Sequence, residues 1–485
     1  LSFEFVSKQG GFVRKINKFN KIKLILFSFI LMFSFSGALC SKSSGTKPTA
    51  KDPITMTIWG FKDDEDALKP IISQFEAQNA GVKVQFVKKS EEEYEADSVD
   101  AIANGEGPDI WLIKNDWFQR HYKKLAPLPD NFFAANSKNA VNNIDYFKSN
   151  FVPIVNQNMI VDNKTYGVPL YIDTLAIYWN KDIFSKTRNE ITTNLYKNPT
   201  TSTGDQVNQL MLLFGRPANN WDDIITQIKY LTKKDGNNIT QGGISLGTSN
   251  NIDFSYDILS ALMLQNSTQM TTADNKTATF NLTISKETGQ PVYTGTNALD
   301  FYTSFADSSK ENYSWSVNMP NALDSFIDGK LAMMIAYGSE VAEIQQRAPN
   351  LNYGFSALPQ IKGATKAIDY ASYWVYTVTK SSKYQEYAWS FLKGFYGSQS
   401  GSFLSATSRT SPNISGTAPE VLDRANRSDP FGFQLLTAAG WNKGRYPLKV
   451  DEEFNNMINN VVIYKQPLQS VIDTSAKNVT TLLQK

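Results

Sequence analysis

The sequence predicts an α/β protein built from at least two lobes, and three observations carry that expectation. Its 485 residues exceed what one hydrophobic core organises, the usual limit being about 250–300 residues. From Ile54 onward, short runs of β-branched and aromatic residues alternate with segments of helical apolar spacing, the pattern of strands joined by crossover helices. The strand-like run "DIWLI" (Asp109 to Ile113) lies between the turn "GEGP" and the cluster Asn115, Asp116, Trp117. A strand whose carboxyl end delivers polar groups and an indole is laid out like the ligand crevice of an open sheet.

In order along the chain, a basic stretch (Arg14, Lys15, Lys18, Lys21, Lys23) precedes an apolar run from Leu24 to Leu39 that closes on Cys40. A positive region followed by an apolar one is a secretory signal, and the run is short of the roughly 20 apolar residues a membrane span requires. A signal ending in cysteine resembles that of a bacterial lipoprotein, which implies cleavage and acylation of Cys40. Leu39 stands where that signal has a small residue, so an uncleaved N-terminal anchor is the alternative. The polar segment 41–53 reads as a disordered tether. "ITMTIWGF" alternates Thr with apolar residues as a strand does. "ALKPIISQFEAQN" places Leu68, Ile71, Ile72 and Phe75 at helical spacing, with the acids of "KDDED" at its start complementing the helix dipole. "VKVQFV" is a second strand, "EEEYEADSVDAIANG" a second helix and "DIWLI" the third strand, a βαβαβ run that implies a mostly parallel sheet.

Composition removes several function classes. A hydrophobic share of 41% with 19% charged residues is ordinary for a globular protein, and the net charge of +2 gives no argument for nucleic acid or an acidic partner. One cysteine and one histidine leave no disulfide framework, no thiolate zinc cluster and no expected metal or cofactor. "GISLG" (Gly243 to Gly247) formally matches the hydrolase elbow G-x-S-x-G, but the sole histidine, His121, precedes Ser245, whereas that fold requires it to follow. His121, within "QRHYKK", reads as an exposed helix residue. No enzyme is expected, although paired carboxylates such as Asp63, Asp116, Asp173 and Glu340 leave a carbohydrate-active enzyme as an alternative. Core filling accounts for most of the 22 Tyr and 9 Trp, and a surplus of such rings also suits a site that stacks on flat ligand faces.

Beyond these local readings, the Trp-Gly end of the first strand, the helix end "FEAQNAGVKV", "GEGPDIW", "LAPL" and "YGVPLYIDTLAIYWNKDIF" follow one another in an order and spacing that resemble the extracellular solute-binding proteins of ABC importers, of the maltose-binding type. "PANNWDDIITQIKYL", "FIDGKLAMMIAYGSEVAEIQQ", "SYWVYTVTKSSKYQEYAWSFLKGF" and "SATSRTSP" continue the likeness. The resemblance implies a two-lobed periplasmic-binding-protein-like fold with a hinge and an interlobe cleft: one lobe from 54–171 and 375–410, the other from 172–374 and 411–485. It implies a tethered, extracytoplasmic monomer that captures a carbohydrate, an oligosaccharide in particular, and presents it to ABC permease subunits. The family's cleft segments fall here on Trp59, Gly60, Asn115, Asp116, Trp117, Tyr171, Asp173, Tyr337, Gly338, Ser339, Tyr373, Trp374 and Arg409. These types fit a sugar, which offers hydroxyls to Asp, Asn and Arg and a C–H face to Trp and Tyr. Gly338 and Ser339 could equally form an ordinary helix N-cap, and Trp111, Tyr178 and Trp179 read as structural.

Segments 185–216 and 266–290 depart from the family pattern and are expected to be surface excursions, the first a candidate for the cleft rim. Other cargoes stay open: a polyamine would want acids and aromatics, a glycerol phosphate more cations than Arg409, and a peptide is a third option.

Overall fold

The computed structural model describes residues 53–60, 64–90, 93–134, 141–197, 204–236, 238–285, 288–407, 409–414 and 430–485. The expected signal, its Cys40 and nearly all of the tether lie outside the described residues. Among the latter, no helix is long and apolar enough to cross a membrane.

The βαβαβ run forms as the pattern requires. Strand β1 (Ile54–Gly60) is followed by helix α1 (Asp64–Gln78), which buries Leu68, Ile71 and Phe75 along one stripe. Strand β2 (Val82–Lys88) pairs with β1 in parallel over its whole length. Helix α2 (Tyr94–Asn104) stops at Gly105, whose φ of 78° is the left-handed cap conformation that glycine adopts without penalty. Two residues on, a Cβ on Gly107 would stand 2.5 Å from Ile102 Cγ1 and 2.8 Å from its Cα, so the chain can fold back on α2 only without a side chain there. Strand β3 (Ile110–Lys114) then enters beside β1, with Ile110, Trp111, Leu112 and Ile113 each at most 1% exposed. Burial on both faces is why this strand reads as an unbroken apolar run. The strand Trp374–Val378 pairs antiparallel with β3, Trp374 opposite Lys114, and with Gly167–Pro169 on its far side, completing a five-stranded sheet.

Two separate hydrophobic cores organise the chain. The first gathers Met56, Ile58, Leu112, Phe147, Val375 and Phe391 around this sheet. The second gathers Ile177, Leu259, Met333, Phe454 and Ile472 around a three-stranded antiparallel sheet with Ala176–Asn180 at its centre, flanked by Met333–Ala336 and Tyr353–Ala357. The lobes so defined are joined by three short strands: Asp173–Thr174, Asp369–Ser372 and Ala438–Ala439. Ala371, Tyr373 and Leu435, which the expected division assigns to the second lobe, pack in the first core. Crossing strands end in one core having started in the other, so a boundary drawn by sequence falls within them.

The two departing segments are not simple surface excursions. Segment 185–216 contributes Ile191 and Phe214 to the second core, and 266–290 contributes Met270, Ala278 and Phe280. A Cβ on Gly295 would stand 1.9 Å from the Phe280 carbonyl oxygen, so the second segment is pressed onto the helix Thr294–Ser304 at a point that admits only glycine.

Candidate functional site

Where the crossing strands meet, the lobes enclose two adjoining chambers. The first, of about 360 Å³, is lined by amides and carboxylates from both lobes, among them Asn115, Asp116, Gln157, Asn275 and Asn442, with Trp441. The second, of about 230 Å³, is lined mainly by aromatic side chains, Trp117, Tyr171, Phe254, Tyr256, Tyr337 and Trp374, with Glu95, Asp173, Ser339 and Arg409. Lys114, Asp257 and Ser372 border both and form a septum between them.

The septum is a buried ion cluster. Lys443, 2% exposed, places Nζ 2.5 Å from Asp451 Oδ1, 3.2 Å from Asp257 Oδ1 and 3.7 Å from Asp116 Oδ2. Lys114 Nζ lies 3.7 Å from the same Asp116 oxygen. Burial disfavours both ammoniums, but the surrounding carboxylates outweigh it and raise both lysines above their usual range. Three carboxylates facing two ammoniums leave one negative charge in excess, and it shows at Asp451, whose carboxyl burial pushes up to about 6. Burial also works against an ionised Asp257, but Lys443, Lys114 and the Tyr337 hydroxyl prevail and hold its carboxyl below the usual range. Asp116 Oδ1 and Asp451 Oδ2 are buried without a hydrogen bond from the described residues.

In the second chamber the rings brace one another. Trp117 stacks on Tyr94 at 6.3 Å and meets the edge of Trp374 at 5.0 Å. Tyr94, at the start of α2, donates its hydroxyl to the Trp59 carbonyl and accepts from Leu112 N–H, so it ties β1 to β3 just below the chamber. Tyr337 O–H donates to Asp257 Oδ2 at 2.8 Å. Arg409 lies over the Tyr171 ring, 4.2 Å from its centroid, and donates to Asp64 Oδ1 at 2.7 Å. Asp173 accepts from the backbone N–H groups of Gly338 (2.6 Å) and Ser339 (2.9 Å), which open the helix Glu340–Arg347.

Of the expected residues, Asn115 and Asp116 line the first chamber, and Trp117, Tyr171, Asp173, Tyr337, Ser339, Trp374 and Arg409 the second. Trp59, Gly60, Gly338 and Tyr373 line neither. Trp59 carries the Lys89 ammonium 3.9 Å from its ring centroid. Tyr373 is sunk in the first core, its backbone held by Asn115: its N–H donates to Asn115 Oδ1, and Asn115 N–H donates to its carbonyl. The cap of the helix Glu340–Arg347 is not the ordinary one, because Ser339 makes no side-chain cap bond and Asp173 supplies the acceptor from a crossing strand. Trp111 and Tyr178 are buried, and Trp179 packs on Phe184.

His121 corrects the expectation of an exposed residue: it is 0% exposed, because its helix is a single turn (Phe118–His121) whose end turns the ring under α2 to meet Glu95 at 2.7 Å. Ser245 is buried, with no partner for its hydroxyl among the described residues, and the sole histidine bonds to Glu95 instead, so "GISLG" carries no serine–histidine pair. The cleft rim also differs from expectation. Met270, Thr271 and Asn275 of segment 266–290 line the first chamber, and none of the described residues of 185–216 lines either.

Sequence reasoning missed Glu95, Lys114, Asp257, Trp441 and Lys443. Lys114 alone carried a usable signal, as the last residue of the strand whose end was already singled out. Lys443 follows a crossing strand that nothing in its local sequence announces.

The family description "bacterial extracellular solute-binding protein" matches residues 61–400. A binding protein of Brucella abortus strain 2308 and one of Brucella suis biovar 1 strain 1330 are each 25% identical to this chain over 326 residues, 66% of this chain and 65% of the relative. The match thus spans just under two thirds of those relatives' length. Among solved structures, an ABC substrate-binding protein from Listeria monocytogenes in complex with cycloalternan superposes with a TM-score of 0.65 at 16% identity, covering 89% of this chain and 99% of its own. The sugar-binding protein of Xanthomonas citri gives 0.65 at 18% (88% and 97%). A solute-binding protein from Thermotoga lettingae bound with α-D-tagatose gives 0.64 at 18% (89% and 100%). With 61–400 matched to the family and the two-lobed fold shared with these structures, the chain belongs to the bacterial extracellular solute-binding proteins.

Proposed function

We propose that this protein is the substrate-binding component of an ABC importer, taking a carbohydrate, an oligosaccharide in particular, between its lobes and presenting it to the permease. One observation carries the reading: an aromatic chamber and an amide-rich chamber adjoin across a cleft to which both lobes contribute. Rings accept the C–H faces of a sugar while amides and carboxylates exchange hydrogen bonds with its hydroxyls. A ligand that touches both lobes favours the closed arrangement over the open one, and closure is what a permease reads. The bound carbohydrates of the Listeria and Thermotoga proteins agree with this. The family is extracytoplasmic, and the basic, apolar and cysteine segments at 14–40 support a lipid-tethered or signal-anchored protein, which we take to act as a monomer. The lobes are taken as 54–171 with 375–410, and 172–374 with 411–485, exchanging the crossing residues noted above. No covalent step is assigned.

The cation-poor cleft disfavours a phosphate cargo: Arg409 is engaged by Asp64, and Lys114 and Lys443 by carboxylates. The same excess of carboxylates favours a polyamine as the second reading. Thermal shift against neutral oligosaccharides, amino sugars, spermidine and glycerol phosphate separates these, because a ligand that binds only the folded state raises Tm by linkage. A rise with a neutral oligosaccharide, and no product on prolonged incubation, supports the importer reading. A rise with spermidine alone replaces it, and turnover of the sugar makes the protein an enzyme.

A further inference from the structure

The one histidine of the chain sits behind the second chamber in a geometry that defines its proton. His121 Nε2 lies 2.7 Å from Glu95 Oε1, and Lys124 Nζ lies 3.2 Å from His121 Nδ1. A lysine ammonium can only donate, so Nδ1 is the bare acceptor nitrogen and Nε2 carries the hydrogen given to Glu95. The imidazole is therefore neutral and confined to one tautomer. The same Glu95 oxygen accepts from Arg120 NH1 at 2.8 Å, and the Arg120 guanidinium lies over the ring of Tyr446, 5.2 Å from its centroid. Among the described residues Glu95 Oε2 accepts no hydrogen bond, and it is not among the sealed polar atoms, while Glu95 is part of the chamber wall. One oxygen is thus clamped by two donors, while the other takes no bond from the described residues, on a side chain that walls the ligand space.

We infer that His121 is a positioning residue: together with Arg120 it fixes Glu95 so that Oε2 accepts a hydroxyl of the cargo in the second chamber. The cargo half of this rests on the carbohydrate reading; the clamp does not. The other groups facing the imidazole are Trp111, whose ring centroid is 4.9 Å away, and Arg120 and Lys124 on its own segment. Burial and both cations oppose a second proton on the ring, and Glu95 alone favours one. Ligand affinity should therefore hold steady from pH 8 to about 6.5 and fall only where the ring takes up a second proton, which sets an Nδ1–H against the Lys124 ammonium.

Nitrogen-15 NMR of the full chain reads the clamp directly, since only one imidazole contributes. The expected spectrum has Nε2 protonated and Nδ1 bare from pH 8 to 6.5, since burial holds the ring below its ordinary value. A ring protonated at Nδ1, or one titrating freely near its ordinary pKa, overturns the inference. Binding of maltotetraose, cellotetraose or mannotetraose, followed by indole fluorescence, supplies the second arm. His121→Phe removes both bonds and should weaken the tightest of these by roughly tenfold or more, the scale of a hydrogen bond to a charged group. His121→Gln keeps an amide N–H for Glu95 and should recover to within about threefold, while Glu95→Gln should bind about as weakly as His121→Phe. Should His121→Phe be unfolded, the Gln pair and the wild-type spectrum still decide. A folded His121→Phe that binds like wild type, or a folded His121→Gln no better than Phe, refutes the positioning role. Absence of binding to every sugar by the wild-type chain refutes the carbohydrate reading and the cargo half, while the spectrum still tests the clamp.

Discussion

Lys443→Met removes one of the two ammoniums from a cluster of three carboxylates. Lys443 and Asp257 have side chains 2% exposed, and Asp451 8%, so solvent offers little compensation. Leaving a buried carboxylate without its cation costs about 3–5 kcal/mol. Asp451 opens a relief route, because its carboxyl already lies near 6: taking up a proton costs about 2 kcal/mol at pH 7.5 and almost nothing at pH 5. The variant should therefore lose about 3 kcal/mol at pH 7.5 and less than about 1.5 kcal/mol at pH 5. With roughly 2.1 cal/mol/K of unfolding entropy per residue, the loss at pH 7.5 lowers Tm by about 3 °C in a chain of this length. Urea unfolding at the two pH values measures it. In the wild type, the raised Asp451 means that between about 6 and the unfolded value near 3.8 the folded state holds a proton the unfolded state has released. This group's contribution therefore becomes more favourable as pH falls through that window. Asp451→Asn removes that dependence and should cost little at pH 7.5, whereas Asp257→Asn, which replaces a carboxylate held ionised, should cost more. A Lys443→Met loss below about 1 kcal/mol at pH 7.5, or one as large at pH 5 as at pH 7.5, refutes the view of the septum as an over-acidic buried cluster.

Three further outcomes are expected. Trp374→Ala should weaken oligosaccharide binding by tenfold or more while circular dichroism stays native, since the half-buried ring walls the second chamber; unchanged affinity in titration calorimetry would mean the ring only braces Trp117. Asp173→Ala removes both acceptors from Gly338 and Ser339 and should cost about 1–2 kcal/mol in chemical denaturation, with Asp173→Asn recovering part of it; a neutral Asp173→Ala would show the cap to be dispensable. His121, held below its ordinary value chiefly by burial, contributes stability that is present above pH 6.5 and lost as pH falls through its folded pKa. His121→Gln should flatten the acid limb of the stability profile, and an unchanged limb would clear this residue of any part in it.

Periodicity and turn chemistry alone gave the βαβαβ half of the first lobe, since alternation, helical spacing and the glycines at 105 and 107 act within a few residues of one another. The polar end of β3 was legible as a site for the same reason: Asn115, Asp116 and Trp117 are contiguous, and a strand end points them to one place. The order of segments that resembles the family extended this to two lobes and a cleft. What local pattern could not supply was everything decided by contact across the chain. His121 looked exposed because its neighbours "QR" and "YKK" are polar, yet a carboxylate 26 residues earlier draws the ring inside. Arg409 and Asp173 looked like ligand groups, but Asp64 and a helix start share their bonding capacity. Trp59 lines neither chamber and carries Lys89 on its ring instead. Lys443 pairs with Asp116, Asp257 and Asp451, and no sequence window holds all four; their meeting depends on three crossing strands of two to four residues each, too short to show a period. Local free-energy preferences are written into adjacent residues, whereas the charge balance of a buried cluster exists only once the fold has assembled its members.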